Sequence, residues 1–118
     1  MADRVSGAAT ATVTGAVLAG VVAPGGAGEL TPFLVHVPVY ALLMTGAAAL
    51  LRDEPEGLAA AVVLVSLAGI AVEIALPLLG STGSFVNYLS NEIGVGLGAA
   101  ITLLRRRACS HAAEESDR

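Results

Sequence analysis

The chain has 118 residues, of which 55% are apolar and only 14% are charged. A soluble domain carries about 25% charged residues, so this composition predicts an integral membrane protein, and the length predicts one domain. The net charge is −4, and the absence of a basic patch interleaved with aromatic side chains excludes nucleic-acid binding. The single cysteine, Cys109, excludes an internal disulfide or a zinc cluster, and we expect neither a metal nor a cofactor.

The first predicted element is the weakest of four candidate membrane helices. Residues 7–24 are rich in alanine, threonine and glycine, and they follow a short charged segment, residues 1–6. This pattern fits either a cleaved signal peptide or a retained helix. Because small residues line the contacts between packed membrane helices, we favour a retained first helix.

The next three segments have the length of membrane helices, which need about 20 residues. They are residues 30–51, residues 58–80 and residues 84–104. The sequence therefore predicts an all-α fold, an integral membrane bundle of four transmembrane helices formed by residues 7–104. Residues 105–118 form a basic-then-acidic tail, of which we expect residues 108–118 to be disordered.

In a four-span arrangement every arginine lies on the same side of the membrane. Arg4 precedes the first helix, and Arg52 lies between the second and third helices. The others follow the fourth helix: Arg105, Arg106, Arg107 and Arg118. The positive-inside rule then predicts a multi-pass protein of the cell membrane with both termini in the cytoplasm. A cleaved first helix would leave this orientation unchanged.

Three predicted helices carry polar residues at the same depth. His36 lies six residues into the second helix, Glu73 seven residues before the end of the third, and Asn91 seven residues into the fourth. At 1.5 Å per residue, all three lie about 9–10 Å below the outer interface. Ionisable residues inside a membrane are costly and typical of functional sites. We therefore predict an outward-facing polar pocket in which Glu73 is hydrogen-bonded near His36 and Asn91.

Neighbouring residues extend this predicted pocket. Tyr40 lies one turn from His36 on the same helix face. A polar stripe along the fourth helix consists of Asn87, Asn91, Gly94 and Gly98. The two asparagines either bind a ligand or tie helices together, and the two glycines predict a close helix contact. Glu92 lies on a different face, where it points either into the protein or towards lipid headgroups.

The chain resembles the VanZ-like family of small membrane proteins over roughly residues 30–104. Three stretches carry the resemblance: "LVHVPVYALL", "GIAVEIALPLLG" and "SFVNYLSNEIGVGLG". The resemblance implies a four-helix bundle whose characteristic positions are occupied by His36, Tyr40, Glu73, Asn91, Gly94 and Gly98. It also implies a role near cell-envelope or lipid chemistry, such as glycopeptide resistance, without implying a defined reaction.

The chain departs from the family pattern at four places. Pro32 and Phe33 replace an aspartate–lysine pair, Leu76 replaces a glutamine, and Asn87 replaces an aspartate. An arginine usual in the following outer loop is missing from residues 80–84. These changes remove charged groups that the family pattern would supply to a ligand.

Three functions fit the sequence. We favour the binding or processing of a polar or lipid-linked cell-envelope molecule, a glycopeptide included, with His36 and Glu73 as the polar centre of the site. The second is a proton-coupled small-molecule transporter, and the third is a scaffold subunit that the glycine stripe holds to other chains or to a second copy. Catalysis by a histidine–glutamate acid–base pair is less favoured, because few groups are present to stabilise developing charge.

Overall fold

The computed structural model describes residues 2–22, 30–52, 56–80 and 85–116. These residues form four helices and no strand: α1 (Ala2–Val22), α2 (Thr31–Leu50), α3 (Gly57–Leu78) and α4 (Phe85–Ser116). The prediction of an all-α helical bundle is confirmed for this part of the chain.

The helix bounds differ from the predicted ones at both ends of the chain. α1 begins at Ala2, so most of the predicted N-terminal segment is helical. α4 continues through Ser116, and the prediction of a disordered tail is wrong for residues 108–116. Arginine, alanine and glutamate favour helix, and the extension of an existing helix needs no new nucleus. With 32 residues, α4 is about 48 Å long.

Two of the four helices are long and apolar enough to cross a membrane. The qualifying segments are Phe33–Leu50 of α2 and Gly57–Leu78, which is the whole of α3. By the same criterion, the described parts of α1 and α4 do not qualify. α4 begins with polar residues.

The largest helix interface joins α2 and α4, and these two helices run in parallel. His36 of α2 meets Asn91 of α4, and further along both helices Met44 lies beside Gly98. α3 runs antiparallel to α2. Gly57, at the start of α3, lies beside Leu51 at the end of α2, whereas Gly69, twelve residues later in α3, lies beside Tyr40, eleven residues before Leu51.

The two central helices are α2 and α3, each of which packs against the other three helices. α1 and α4 do not pack against each other in the described part of the chain, so they flank the central pair. α1 contributes small buried residues, namely Ala8, Thr12 and Ala16. This arrangement encloses the space between α2, α3 and α4, where the predicted polar residues lie.

Candidate functional site

A buried hydrogen bond between α2 and α4 organises the site. Nδ1 of His36 lies 2.6 Å from Oδ1 of Asn91, and both side chains are almost completely buried. A carbonyl oxygen only accepts hydrogen bonds, so Nδ1 of His36 is the donor. The amide oxygen of Asn91 therefore faces α2. Its Nδ2 group has no hydrogen-bond partner among the described residues.

Tyr40 stacks on His36 and extends the site by one helical turn. The two ring centroids lie 6.2 Å apart with an interplanar angle of 8°. Gly69 of α3 faces this pair: a Cβ atom at position 69 would lie 3.0 Å from Cε1 of Tyr40 and 3.5 Å from Nδ2 of Asn91. The sequence pattern did not point to Gly69, although this residue lies one turn before Glu73 on the same face of α3.

Glu73 lies in the wall of this site with an unpaired carboxylate group. Its two carboxylate oxygens are enclosed and have no hydrogen-bond partner within the described part of the chain. The expected hydrogen bond near His36 and Asn91 is therefore not formed. α2 and α3 are antiparallel, and Tyr40 lies beside Gly69. His36 comes one turn before Tyr40, and Glu73 comes one turn after Gly69. His36 and Glu73 therefore lie at the same level of the bundle.

A second carboxylate group, that of Glu92, also turns into the bundle. Oγ of Ser66 on α3 donates a hydrogen bond of 3.0 Å to Oε2 of Glu92. Oε1 of Glu92 is enclosed and lacks a partner in the described ranges. The alternative in which Glu92 points to lipid headgroups is therefore wrong.

The polar residues earlier in α4 are also buried. Asn87 is fully buried one turn before Asn91, as expected for a member of the polar stripe. Ser90 is buried as well, but its hydroxyl group donates to the carbonyl oxygen of Val86 at 2.7 Å. The hydroxyl proton of Ser90 is thus used within α4, whereas Asn91 reaches across to α2.

Gly94 and Gly98 bring α4 against the backbone of α2. A Cβ atom on Gly94 would lie 2.6 Å from the carbonyl oxygen of Val37, and one on Gly98 would lie 2.7 Å from that of Ala41. Real Cβ atoms do not approach backbone oxygens so closely. The close approach of the two helices places Asn91, one turn before Gly94, within hydrogen-bonding distance of His36.

The unpaired groups define what the site is suited to bind. Three acceptor atoms lack a partner among the described residues, namely both carboxylate oxygens of Glu73 and Oε1 of Glu92; one donor group, Nδ2 of Asn91, also lacks one. No group of three histidine, cysteine, aspartate or glutamate side chains in the described ranges is arranged to hold a metal ion. The arrangement fits a ligand that offers mainly hydrogen-bond donors, such as hydroxyl, amide or ammonium groups.

Comparisons of the chain with models of protein families, with curated proteins and with solved structures find no match. The VanZ-like assignment therefore stays a prediction from three short stretches of sequence. The function proposed below rests on the geometry of the bundle and its site.

Proposed function

We propose that the chain is an integral membrane protein with four spans and that it binds a polar or lipid-linked cell-envelope molecule. The distribution of residues across the bundle supports the membrane placement. Large apolar side chains in the middle of three helices face outwards: Leu42 is 71% exposed, Leu67 59% and Leu97 48%. Meanwhile His36, Asn87 and Asn91 are buried. A soluble domain has the opposite arrangement, whereas lipid tails readily cover an apolar exterior.

The proposed orientation has both termini in the cytoplasm, and the position of the arginines supports it. Arg52, Arg105 and Arg106 surround one cleft at the same end of α2 and α4. His36 lies 14 residues before Leu50, the last residue of α2, which is about 21 Å along the helix axis, and Arg52 follows directly after this end. The hydrocarbon core is about 30 Å thick. With the arginines at the inner interface, the His36–Asn91 pair lies inside the membrane and nearer to its outer face.

The unpaired carboxylate group of Glu73 is the observation that carries the binding function. An unpaired polar group in an apolar setting costs free energy, and a protein retains such groups where they serve a function. A ligand with hydroxyl, amide or ammonium groups would pair with Glu73 and Glu92. Lipid-linked envelope precursors and glycopeptides carry such groups, and the resemblance to the VanZ-like family favours this class of ligand.

A comparison of wild type with Glu73→Gln tests this proposal. Full-length protein in detergent is titrated with a polyprenyl-linked disaccharide–pentapeptide precursor or with teicoplanin, and thermal unfolding is followed. We expect ligand to raise the wild-type midpoint and Glu73→Gln to weaken binding about tenfold or more, because charge-assisted hydrogen bonds are lost. Without ligand the variant should unfold at the wild-type temperature or above, since Glu73 makes no hydrogen bond in the described structure.

Glu56→Gln is the matched control, because Glu56 is an exposed acid at the start of α3. This variant should respond to ligand as wild type does. Equal responses of wild type and Glu73→Gln to both probes would contradict the proposal.

A proton-coupled transporter is the second candidate, and the same carboxylate group favours it. Intramembrane acids serve as proton carriers in transporters. This function requires that ligand addition changes the number of protons bound at Glu73. A pH-sensitive dye in weakly buffered solution would then report proton release in wild type and none in Glu73→Gln, and ligand binding without any proton release would contradict this function.

The scaffold function loses its proposed contact. Gly94 and Gly98 pack against α2 of the same chain. This stripe is therefore covered within the protein and does not offer its face to another subunit.

A further inference from the structure

A second cleft lies at the opposite end of the α2–α4 interface from the His36–Asn91 pair. It has a volume of about 360 Å³, within the usual range of ligand sites, roughly 300–1,000 Å³. Both sides of the cleft present residues at positions i, i+3, i+4 and i+7. These are Thr45, Ala48 and Ala49 of α2 with Arg52 just after its end, and Thr102, Arg105, Arg106 and Cys109 of α4. The two helices are pressed together at Gly98 and Met44, and the cleft opens directly beyond this contact.

We propose that this cleft binds the phosphate group of an anionic phospholipid from the inner leaflet. The inference rests on the membrane orientation proposed above and concerns a different site from Glu73. Three arginines line the cleft, and no acidic residue is among its lining residues. The planar guanidinium group of arginine matches two phosphate oxygens at once.

The remaining lining residues favour a lipid over a free anion. The hydroxyl group of Thr45 donates to the carbonyl oxygens of Ala41 and Leu42 at 3.0 Å, and that of Thr102 donates to the carbonyl oxygen of Gly98 at 2.9 Å. Their protons are thus already used, and recognition of the anion falls to the arginines. The alanines form an apolar floor between the two helices, which suits the glycerol backbone and the first carbons of an acyl chain.

Cys109 provides a direct readout, because it is the one cysteine of the chain, is exposed and lines the cleft. The rate of its alkylation by a maleimide is measured on the full chain in detergent. The micelles contain either phosphatidylcholine alone or phosphatidylcholine with phosphatidylglycerol, and a third sample contains inorganic phosphate at the same phosphate concentration. We expect phosphatidylglycerol to slow alkylation several-fold and inorganic phosphate to leave the rate unchanged.

The matched variants are Arg105→Gln/Arg106→Gln and Arg107→Gln. Arg107 follows directly in α4 but does not line the cleft, so Arg107→Gln controls for the loss of an arginine outside the cleft. We expect the double variant to require about tenfold or more phosphatidylglycerol for the same protection, since charge-assisted hydrogen bonds are lost. Arg107→Gln should match wild type.

Three outcomes would overturn the inference. They are equal protection by inorganic phosphate, equal loss of protection in Arg107→Gln and in the double variant, and no protection of the wild type by phosphatidylglycerol. The wild-type comparison stands even if the double variant does not fold. Failure of the proposed ligand site would appear separately, in the Glu73→Gln titration, because that site lies at the other end of the bundle.

Discussion

The hydrogen bond between His36 and Asn91 joins two side chains that are 55 residues apart in the sequence. Both partners are almost fully buried, so loss of either one leaves the other with an unmet hydrogen-bonding group. Between membrane helices such bonds contribute about 0.6–2 kcal/mol. This bond is therefore a modest contribution to stability, and its larger effect is to fix the orientation of the Asn91 amide group in the site.

A double-mutant cycle of His36→Ala and Asn91→Ala should measure this contribution. Each single variant should lower the free energy of unfolding, and the double variant should lose less than the sum of the two, with a coupling of about 1 kcal/mol. Reversible unfolding in mixed micelles, followed by circular dichroism, provides the measurement. Strict additivity would show that the two side chains do not interact in the folded protein.

The sequence predicted the depth of the polar side chains along the helices better than it predicted their hydrogen-bond partners. Helical spacing placed His36 and Asn91 at one depth, and the structure brings them into contact. The pairing of Glu73 was not predictable, because several groups compete for each partner: the Asn91 carbonyl is taken by His36, and the Ser66 hydroxyl by Glu92. The spacing of residues along one helix does not determine which hydrogen-bond partner each group takes, because this depends on how the neighbouring helices are rotated about their axes.

The contact between α2 and α4 depends on two glycines that face the backbone of α2. A methyl group at either position would meet a carbonyl oxygen at 2.6–2.7 Å, and a backbone oxygen is unable to move aside without a shift of the whole helix. Gly96, on the same helix, is exposed and has no atom within 4 Å of a Cβ built on it. The three glycines therefore separate the effect of packing from that of helix propensity.

We expect Gly94→Ala and Gly98→Ala each to destabilise the bundle by about 1–3 kcal/mol through overpacking. Gly96→Ala should be neutral or stabilising by up to about 1 kcal/mol, because alanine favours helix. Thermal unfolding of the three variants in one detergent decides the matter. Similar midpoints for all three would mean that α4 does not pack on α2 through this face.

The sequence predicted these glycines as a contact but did not predict the length of their helix. The polarity of residues 108–116 suggested disorder, because polarity shows which segments fail to form a core. The polarity of a segment gives little information on whether that segment continues an existing helix. Every residue from 103 to 116 is exposed, so the extension buries little surface and follows from helix propensity together with its attachment to α4.

On the scale of the whole molecule, three arginines and Glu73 lie at different levels of the bundle. Arg52, Arg105 and Arg106 surround the cleft at one end, whereas Glu73 lies close to the other end of α3. Under the proposed four-span placement, the positive-inside rule puts the arginine end of the bundle on the cytoplasmic side. Two helices are long and apolar enough to span a membrane, and α4 also exposes large apolar side chains.

Cysteine labelling in whole cells should establish the number of spans and their direction. The native Cys109 should react with a membrane-impermeant maleimide only after permeabilisation. In a Cys109→Ser background, Leu79→Cys, at the exposed end of α3, should react from outside, and Asp3→Cys, exposed on α1, should again require permeabilisation.

Two results would contradict this topology. Labelling of Asp3→Cys from outside would give an odd number of spans, and release of the protein from membranes by alkaline carbonate would show that it is not integral. Retention in the membrane with the expected labelling would support four spans.

The parallel pairing of α2 and α4 also imposes an order on the assembly of the chain during synthesis. The largest interface of the bundle joins α2 and α4, which are separated in the sequence by the whole of α3. α2 is therefore synthesised well before the helix on which it packs most extensively. At about 5–20 residues per second, the 55 residues between His36 and Asn91 take roughly 3–11 seconds to translate. Under the proposed membrane placement, the face of α2 that later packs on α4 is not covered by α4 during that interval. The arrival of α4 therefore completes the His36–Asn91 pair.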